Sequence, residues 1–210
     1  MTSVWGPLGW MTLHSVATSY PEKPTAGEQE LMRSWLDMFR DTITCPSCQG
    51  HFAGLLAAYR HTFPNMLSSR QTFAVFTFRA HNAVNRRLNK PVHGDIEACM
   101  SILTNNVKNR PARDYRISYL NHITRHWRAF RDASGISSLR KISEMNKIEV
   151  EYIGPRDNNF TATLQPDVVV LPRDTLERGH EEAPSRLSLN PRLAPPTGFR
   201  LTGGGIRLRR

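Results

Sequence analysis

The most reactive chemistry in this sequence sits in four consecutive residues, Cys45-Pro46-Ser47-Cys48. A Cys-x-x-Cys that opens a helix places two sulfurs within one turn. The free N–H groups and dipole of that helix end favour thiolate over thiol. A thiolate attacks disulfides, and its low pKa also makes it a good leaving group, so the pair suits thiol–disulfide exchange. The same residues also admit a zinc site, with Cys45, Cys48, His51 and His61 as four N/S ligands. Against zinc, the spacings from Cys48 to His51 and from His51 to His61 match no common module, and the chain has no second Cys-x-x-Cys. A redox pair needs an electron sink. Thioredoxin-like proteins set the motif between a strand and a helix, whereas residues 26–43 here have helical spacing, which disfavours that class and leaves open a helical bundle with its own cofactor.

The elements that must position the pair are read from apolar spacing. Leu8, Met11, Leu13, Val16 and Ala17 form a short amphipathic stretch that stops at Tyr20-Pro21. Thr25 and Glu28 have capping-box spacing ahead of a helix carrying Leu31, Trp35, Met38 and Phe39. Thr44 or Cys45 caps the next helix, with Pro46 in its first position, and Phe63-Pro64 ends it. Ser68 or Ser69 caps a long helix through Phe73, Phe76, His81, Val84 and Leu88, closed by Lys90-Pro91. Residues 95–107 make a shorter one. The expectation is an all-α fold over residues 1–107, a four-helix bundle plus a short fifth helix.

Residues 108–172 read as a small mixed accessory region of unknown role. They hold a basic-faced helix at 115–132 and short strands at 148–153 and 160–171, where Val, Ile, Tyr and Thr concentrate. Residues 173–210 read as a disordered tail rich in Arg, Pro and Gly, too poor in apolar side chains to offset chain entropy. The formal net charge of +10 follows this division. It is +2 over 1–107, +7 over 108–147, −3 over 148–172 and +4 over 173–210. A basic half admits contact with nucleic acid or acidic protein, so a nucleic-acid-binding protein is the other alternative to an enzyme. The tail lacks the interleaved aromatics of a single-strand binder. There is no secretory signal and no apolar run long enough for a membrane span, and three cysteines are too few for a disulfide-stapled scaffold. The expected location is therefore cytoplasmic, where a Cys-x-x-Cys is redox-active or metal-binding rather than structural.

Three segments in register resemble the Erv/ALR family of FAD-dependent sulfhydryl oxidases. They are Trp5-Gly6-Pro7-Leu8-Gly9-Trp10-Met11-Thr12-Leu13-His14 with Tyr20-Pro21, Cys45-Pro46-Ser47-Cys48 with His51-Phe52, and His81-Asn82-Ala83-Val84-Asn85-Arg86-Arg87-Leu88-Asn89-Lys90-Pro91. The resemblance covers about residues 1–107. It implies a bundle gripping FAD beside the cysteines, with Cys45 facing substrate and Cys48 facing the flavin. It further implies cofactor contacts at Trp5, Gly6, Gly9, Trp10, His14, Tyr20, His51, His81, Asn82, Val84, Asn85, Arg86, Leu88 and Lys90. The residue types are compatible. Asn82 and Asn85 lie one helical turn apart, Trp10 offers a flat wall, and Arg86 and Lys90 suit a diphosphate. Taken singly, Trp10 reads as core, His14 as a satisfied buried histidine, and Arg86-Arg87 as a wet surface; only the combined pattern points to a cofactor.

The resemblance also implies protein dithiol substrates or a separate thiol carrier, O2 as acceptor with release of H2O2, and a homodimer. Versions without a shuttle cysteine pair resemble those of large cytoplasmic DNA viruses, which implies host cytoplasm or virion. Many members add a structural disulfide after the third motif. Cys99 stands near its first position, the second falls near Arg116, and no cysteine follows Cys99. That bridge is therefore absent within the chain, and Cys99 reads as a small buried hydrophobe or, as the alternative, an inter-subunit thiol.

Overall fold

The computed structural model describes residues 2–165, with side chains from residue 5 onward. Seven helices follow in order: α1 Thr2–Ser19, α2 Ala26–Thr42, α3 Pro46–Thr62, α4 Arg70–Arg87, α5 Ile96–Asn106, α6 Ala112–Trp127 and α7 Ala133–Ile148. Their starts are set by local hydrogen bonding. Thr25 and Glu28 form a complete capping box on α2, Cys45 caps α3 with Pro46 just inside it, and Ser69 and Thr72 box α4. The end of α4 is a Schellman turn. Asn89 adopts a left-handed φ of 52°, the Lys90 amide donates to the Asn85 carbonyl at 2.8 Å, and the Asn89 amide donates to Arg86 at 3.0 Å. This turn sends Lys90-Pro91 back along the helix toward α1.

α1 lies at the centre, packed between α4 and α6, while α7 covers α6 and α2. A single apolar core joins all seven helices, from Leu13 and Phe39 through Phe76 to Ile123 and Met145. Residues 112–160 thus share the core of the first five helices. Tyr119 of α6 is fully buried, stacked on Phe39 with ring centroids 5.2 Å apart.

The strands expected at 148–153 and from 160 do not form, and no strand exists among the described residues. Ile148 ends α7, and Glu149–Ile153 continue it as a π-helical turn, followed by a 3-10 turn at Gly154–Arg156. The reason lies in the buried positions. Ile142, Met145, Ile148, Glu149 and Ile153 recur at helical intervals, and packing of that face overrides the strand preference of β-branched residues. Residues 166–171 of the second expected strand, and the tail expected at 173–210, lie outside the described residues.

Arg116 is a buried cation where α6 meets α1 and the turn that follows α7. It is 1% exposed and makes a bidentate pair with Glu149, at 2.8 and 3.0 Å. It also donates to Asp157 at 3.2 Å and to the Ser15 hydroxyl of α1. A strap beyond the 3-10 turn completes the join. The Asn158 side-chain Nδ2 donates to the Thr18 carbonyl at the end of α1 at 2.8 Å, and the Asn159 side-chain oxygen accepts from the Ala112 amide, capping α6. No described helix is long and apolar enough to cross a membrane.

Candidate active site

Cys45 and Cys48 are joined in a disulfide, with Cα atoms 5.2 Å apart. Cys45 caps α3 and Cys48 lies in its first turn. The Cys45 sulfur accepts from the Cys48 amide at 3.4 Å, and the Ser47 hydroxyl lies 3.3 Å from it. The positive end of α3 therefore faces the pair and would stabilise a thiolate formed there. Behind the pair lies a cavity of about 730 Å³, within the usual range for small-molecule and cofactor sites. Cys48 lines it and Cys45 does not.

Helix α1 lines it through Trp5, Gly6, Gly9 and Trp10, and α4 and its cap line it through His81, Val84, Asn85 and Leu88. His51 closes the side next to the cysteines, and Lys90 stands at the rim. The Trp10 and His81 rings stack at 4.2 Å and 10°. The Trp5 indole N–H is buried with no partner among the described residues. A Cβ added at Gly6 would meet nothing within 4 Å, whereas at Gly9 it would touch Trp5, Tyr119 and Phe39 at 3.5–3.6 Å.

The remaining expected contacts lie behind or outside this lining. His14 is buried behind His81. Thr77 spends its hydroxyl hydrogen on the Ala74 carbonyl at 2.8 Å, so it accepts from His14 Nδ1 at 3.1 Å. His14 Nε2 then accepts from His81 Nδ1 at 3.0 Å, which leaves His81 Nε2 as an acceptor. Asn82 clamps the loop after α4, donating to the His93 carbonyl and accepting from the His93 amide, both at 2.9 Å. Tyr20 is fully buried in the core, its hydroxyl donating to the Leu67 carbonyl at 3.0 Å. Arg86 is exposed outside the cavity, and its neighbour Arg87 lines it.

Both histidines are neutral. Burial, then the neighbouring His81 and His93, hold His14 well below the ordinary imidazole range. Burial, then His93 and Lys90, push His81 down to about 3. An unfolded chain takes up these protons below about pH 6.5, whereas the folded one resists until about pH 3 for His81. Stability is therefore expected to fall as pH drops through this window, by about 1.4 kcal/mol per pH unit for each histidine. Guanidinium unfolding at stepped pH should show a shallower slope for His81→Asn than for the wild type; identical slopes would contradict the assignment.

Cys99 is buried and free, its sulfur 4.0 Å from His14 Nε2, and burial pushes its thiol up to about 12. It is an inert thiol at neutral pH, in keeping with the small-hydrophobe reading. The four residues considered for zinc do not converge. Cys45 and Cys48 are spent on each other, and His61 is exposed. The metal-capable side chains that do converge among the described residues are His14, His81 and Cys99.

Comparison with known proteins bears on this geometry. The Erv1/Alr family model matches residues 8–110. Proteins 096R and 347L, assigned as FAD-linked sulfhydryl oxidases in Invertebrate iridescent viruses 3 and 6, are each 35% identical, over 88 and 92 residues. The aligned stretch is 42% of this chain in both cases, and 58% and 83% of those relatives. The FAD-linked sulfhydryl oxidase of African swine fever virus (isolate Tick/Malawi/Lil 20-1/1983) is 33% identical over 88 residues, 42% of this chain and 71% of the viral protein. The chain belongs to the Erv1/Alr family. No solved structure matches it significantly.

The family match ends at Arg110, just before α6 begins at Ala112. Helices α6 and α7 therefore lie beyond the family's matched part, yet Tyr119 backs Gly9 of the cavity wall. Sequence reasoning missed several lining residues. Phe39 and Ile43 come from the end of α2, His93 from the loop after α4, and Ile102 and Asn106 from α5. Phe39 was visible only as an apolar helix position, and nothing in its spacing marked it as cavity rather than core.

Proposed function

We propose that this chain is a FAD-dependent thiol oxidase that forms disulfides in protein substrates, with Cys45–Cys48 as its redox pair. The observation that carries the proposal is the asymmetry of the pair. Cys48 opens onto a cofactor-sized cavity and Cys45 does not. The cavity fits FAD in its donor set. The stacked Trp10 and His81 offer a flat wall, the buried Trp5 N–H lacks a protein acceptor among the described residues, and Arg87 and Lys90 suit a diphosphate. Trp5, Trp10, His51, His81, Val84, Asn85, Leu88 and Lys90 would hold the cofactor, with Gly6 and Gly9 keeping the α1 wall low. His14 and Asn82 would act through His81 and the His93 loop, while Tyr20 serves the core.

In the reaction, a substrate thiolate attacks the Cys45 sulfur. The Cys45–Cys48 bond breaks and Cys48 leaves as a thiolate, stabilised by the first turn of α3. A second substrate thiolate attacks the substrate sulfur of the mixed disulfide and expels Cys45. The substrate gives up two electrons and two protons, and the protein pair ends as two thiols. The Ser47 hydroxyl, 3.3 Å from the Cys45 sulfur, can donate to it as charge develops. FAD, when bound, supplies a two-electron acceptor that O2 reoxidises with release of H2O2. The acceptor and the pairing of two copies rest on the family, and action in host cytoplasm or virion rests on the viral relatives.

The test is an absorbance spectrum of the purified chain before and after dithiothreitol in air-free buffer. Flavin bands that bleach and return with air are the expected result. A chain that stays colourless after incubation with FAD would refute the proposal.

A further inference from the structure

We infer that the C-terminal end of α6 is a docking surface for acidic, cysteine-bearing protein segments, held beside Cys45. The inference rests on the thiol-oxidase reading and adds the substrate class. Arg33, Arg40, Arg60, Arg70 and Arg116 each meet a carboxylate. Arg125, Arg128 and Arg131 are exposed and meet none among the described residues; Arg125 donates only to the Asn121 carbonyl. The adjacent Asp132 makes no ion pair with them among the described residues; one of its oxygens accepts from the Gly135 amide and the Ser134 hydroxyl as the cap of α7, and three arginines against one carboxylate leave the patch basic. Interleaved with the arginines are His126, Trp127 and Phe130, with ring centroids 5.1–5.4 Å apart, and Phe130 is 43% exposed. Cations around an aromatic face suit a segment of carboxylates with occasional apolar side chains.

The placement connects this surface to the redox pair. The Trp127 indole N–H donates to the Thr42 carbonyl at 3.0 Å, three residues before Cys45, a span of at most about 10 Å. Lys141 of α7 pairs with Asp41 at 2.6 Å, and Gln49 of α3 donates to the Asp41 carbonyl at 2.7 Å. The junction that delivers Cys45 is therefore pinned to α6, whose C-terminal end and following connection carry the arginines, and to α7. A polyanion of nucleic acid would meet the same charge, but it brings no thiol to Cys45. Position beside the disulfide favours a protein occupant.

The test uses the full flavin-loaded chain and two peptides with the same cysteine pair, one flanked by Asp and Glu, the other by Lys. At low salt the acidic peptide should be oxidised with a kcat/KM about tenfold higher, and the advantage should collapse near 0.5 M salt. The Arg125→Glu, Arg128→Glu, Arg131→Glu triple variant should reverse the preference through KM while dithiothreitol turnover stays unchanged. The uncharged Gln triple variant should abolish the preference, and it decides the matter if the Glu variant misfolds. Equal rates for the two peptides, or a preference that survives both variants, would overturn the inference. So would inhibition by an oligonucleotide without any discrimination between the peptides. Failure of the wild type to oxidise dithiothreitol would instead count against the oxidase reading itself.

Discussion

Cys48→Ala is expected to keep its flavin absorbance and lose dithiol-driven oxygen consumption by on the order of 10³-fold or more. The side chain is small and lines the cavity from one edge, so its removal leaves the Trp10–His81 wall and the Lys90 rim untouched. What disappears is the leaving group of the first exchange. Cys45 alone is a thiol and holds no disulfide for a substrate thiolate to break, so no mixed disulfide forms by exchange. Stopped turnover with retained colour separates the redox role from a structural one, because a merely structural cysteine would lose both. Oxygen uptake at the wild-type rate would end the assignment of Cys48.

The second large effect concerns stability. Arg116→Met should cost about 3–5 kcal/mol, because it leaves Glu149 buried without its bidentate partner. Glu149 is 2% exposed, and its other cation, Arg113, lies 3.8 Å away and is largely exposed. Water cannot replace the lost partner. For a chain of this size each kcal/mol lowers Tm by about 2–4 °C, so the drop should exceed about 6 °C. The double change Arg116→Met with Glu149→Leu should recover much of the loss, since two apolar side chains need no partner. Denaturant titrations of the four species measure the coupling. A single variant within 1 kcal/mol of the wild type would show that the pair carries little.

The sequence was most readable where the chemistry is local. Caps at Thr25, Cys45 and Ser69 depend on neighbours three residues away, and each forms as their spacing predicts. The Cys-x-x-Cys likewise announces its own helix start. What escaped depends on distant partners. Glu149–Ile153 carry strand-forming types, but Arg116, far off in sequence, rewards a helical Glu149 that points inward. The same blindness hid α6 from the core, because its basic face suggested an independent element while Tyr119 and Ile123 are fully buried. Within the site, ten of the fourteen expected contacts line the cavity. His14, Tyr20, Asn82 and Arg86 lie off it, since a motif fixes which helix a residue rides but not which neighbour takes its side chain.

The strap at Asn158–Asn159 has a consequence for the order of assembly. The last turn of α1 gives its Thr18 carbonyl to a residue 140 positions away, and Ser15 meets Arg116 across 101 positions. As synthesis proceeds toward the C-terminus, α1 emerges well before its partners and acquires the strap at its end only after residue 158 has appeared. Gly9, whose far side rests on Tyr119, shares that delay. Contacts of such long range slow folding, because the entropy of closing the loop is lost before the contact repays it. The α1 wall of the cavity is thus made well before it sets, so a nascent chain cannot present a finished cavity to flavin before α6 has docked.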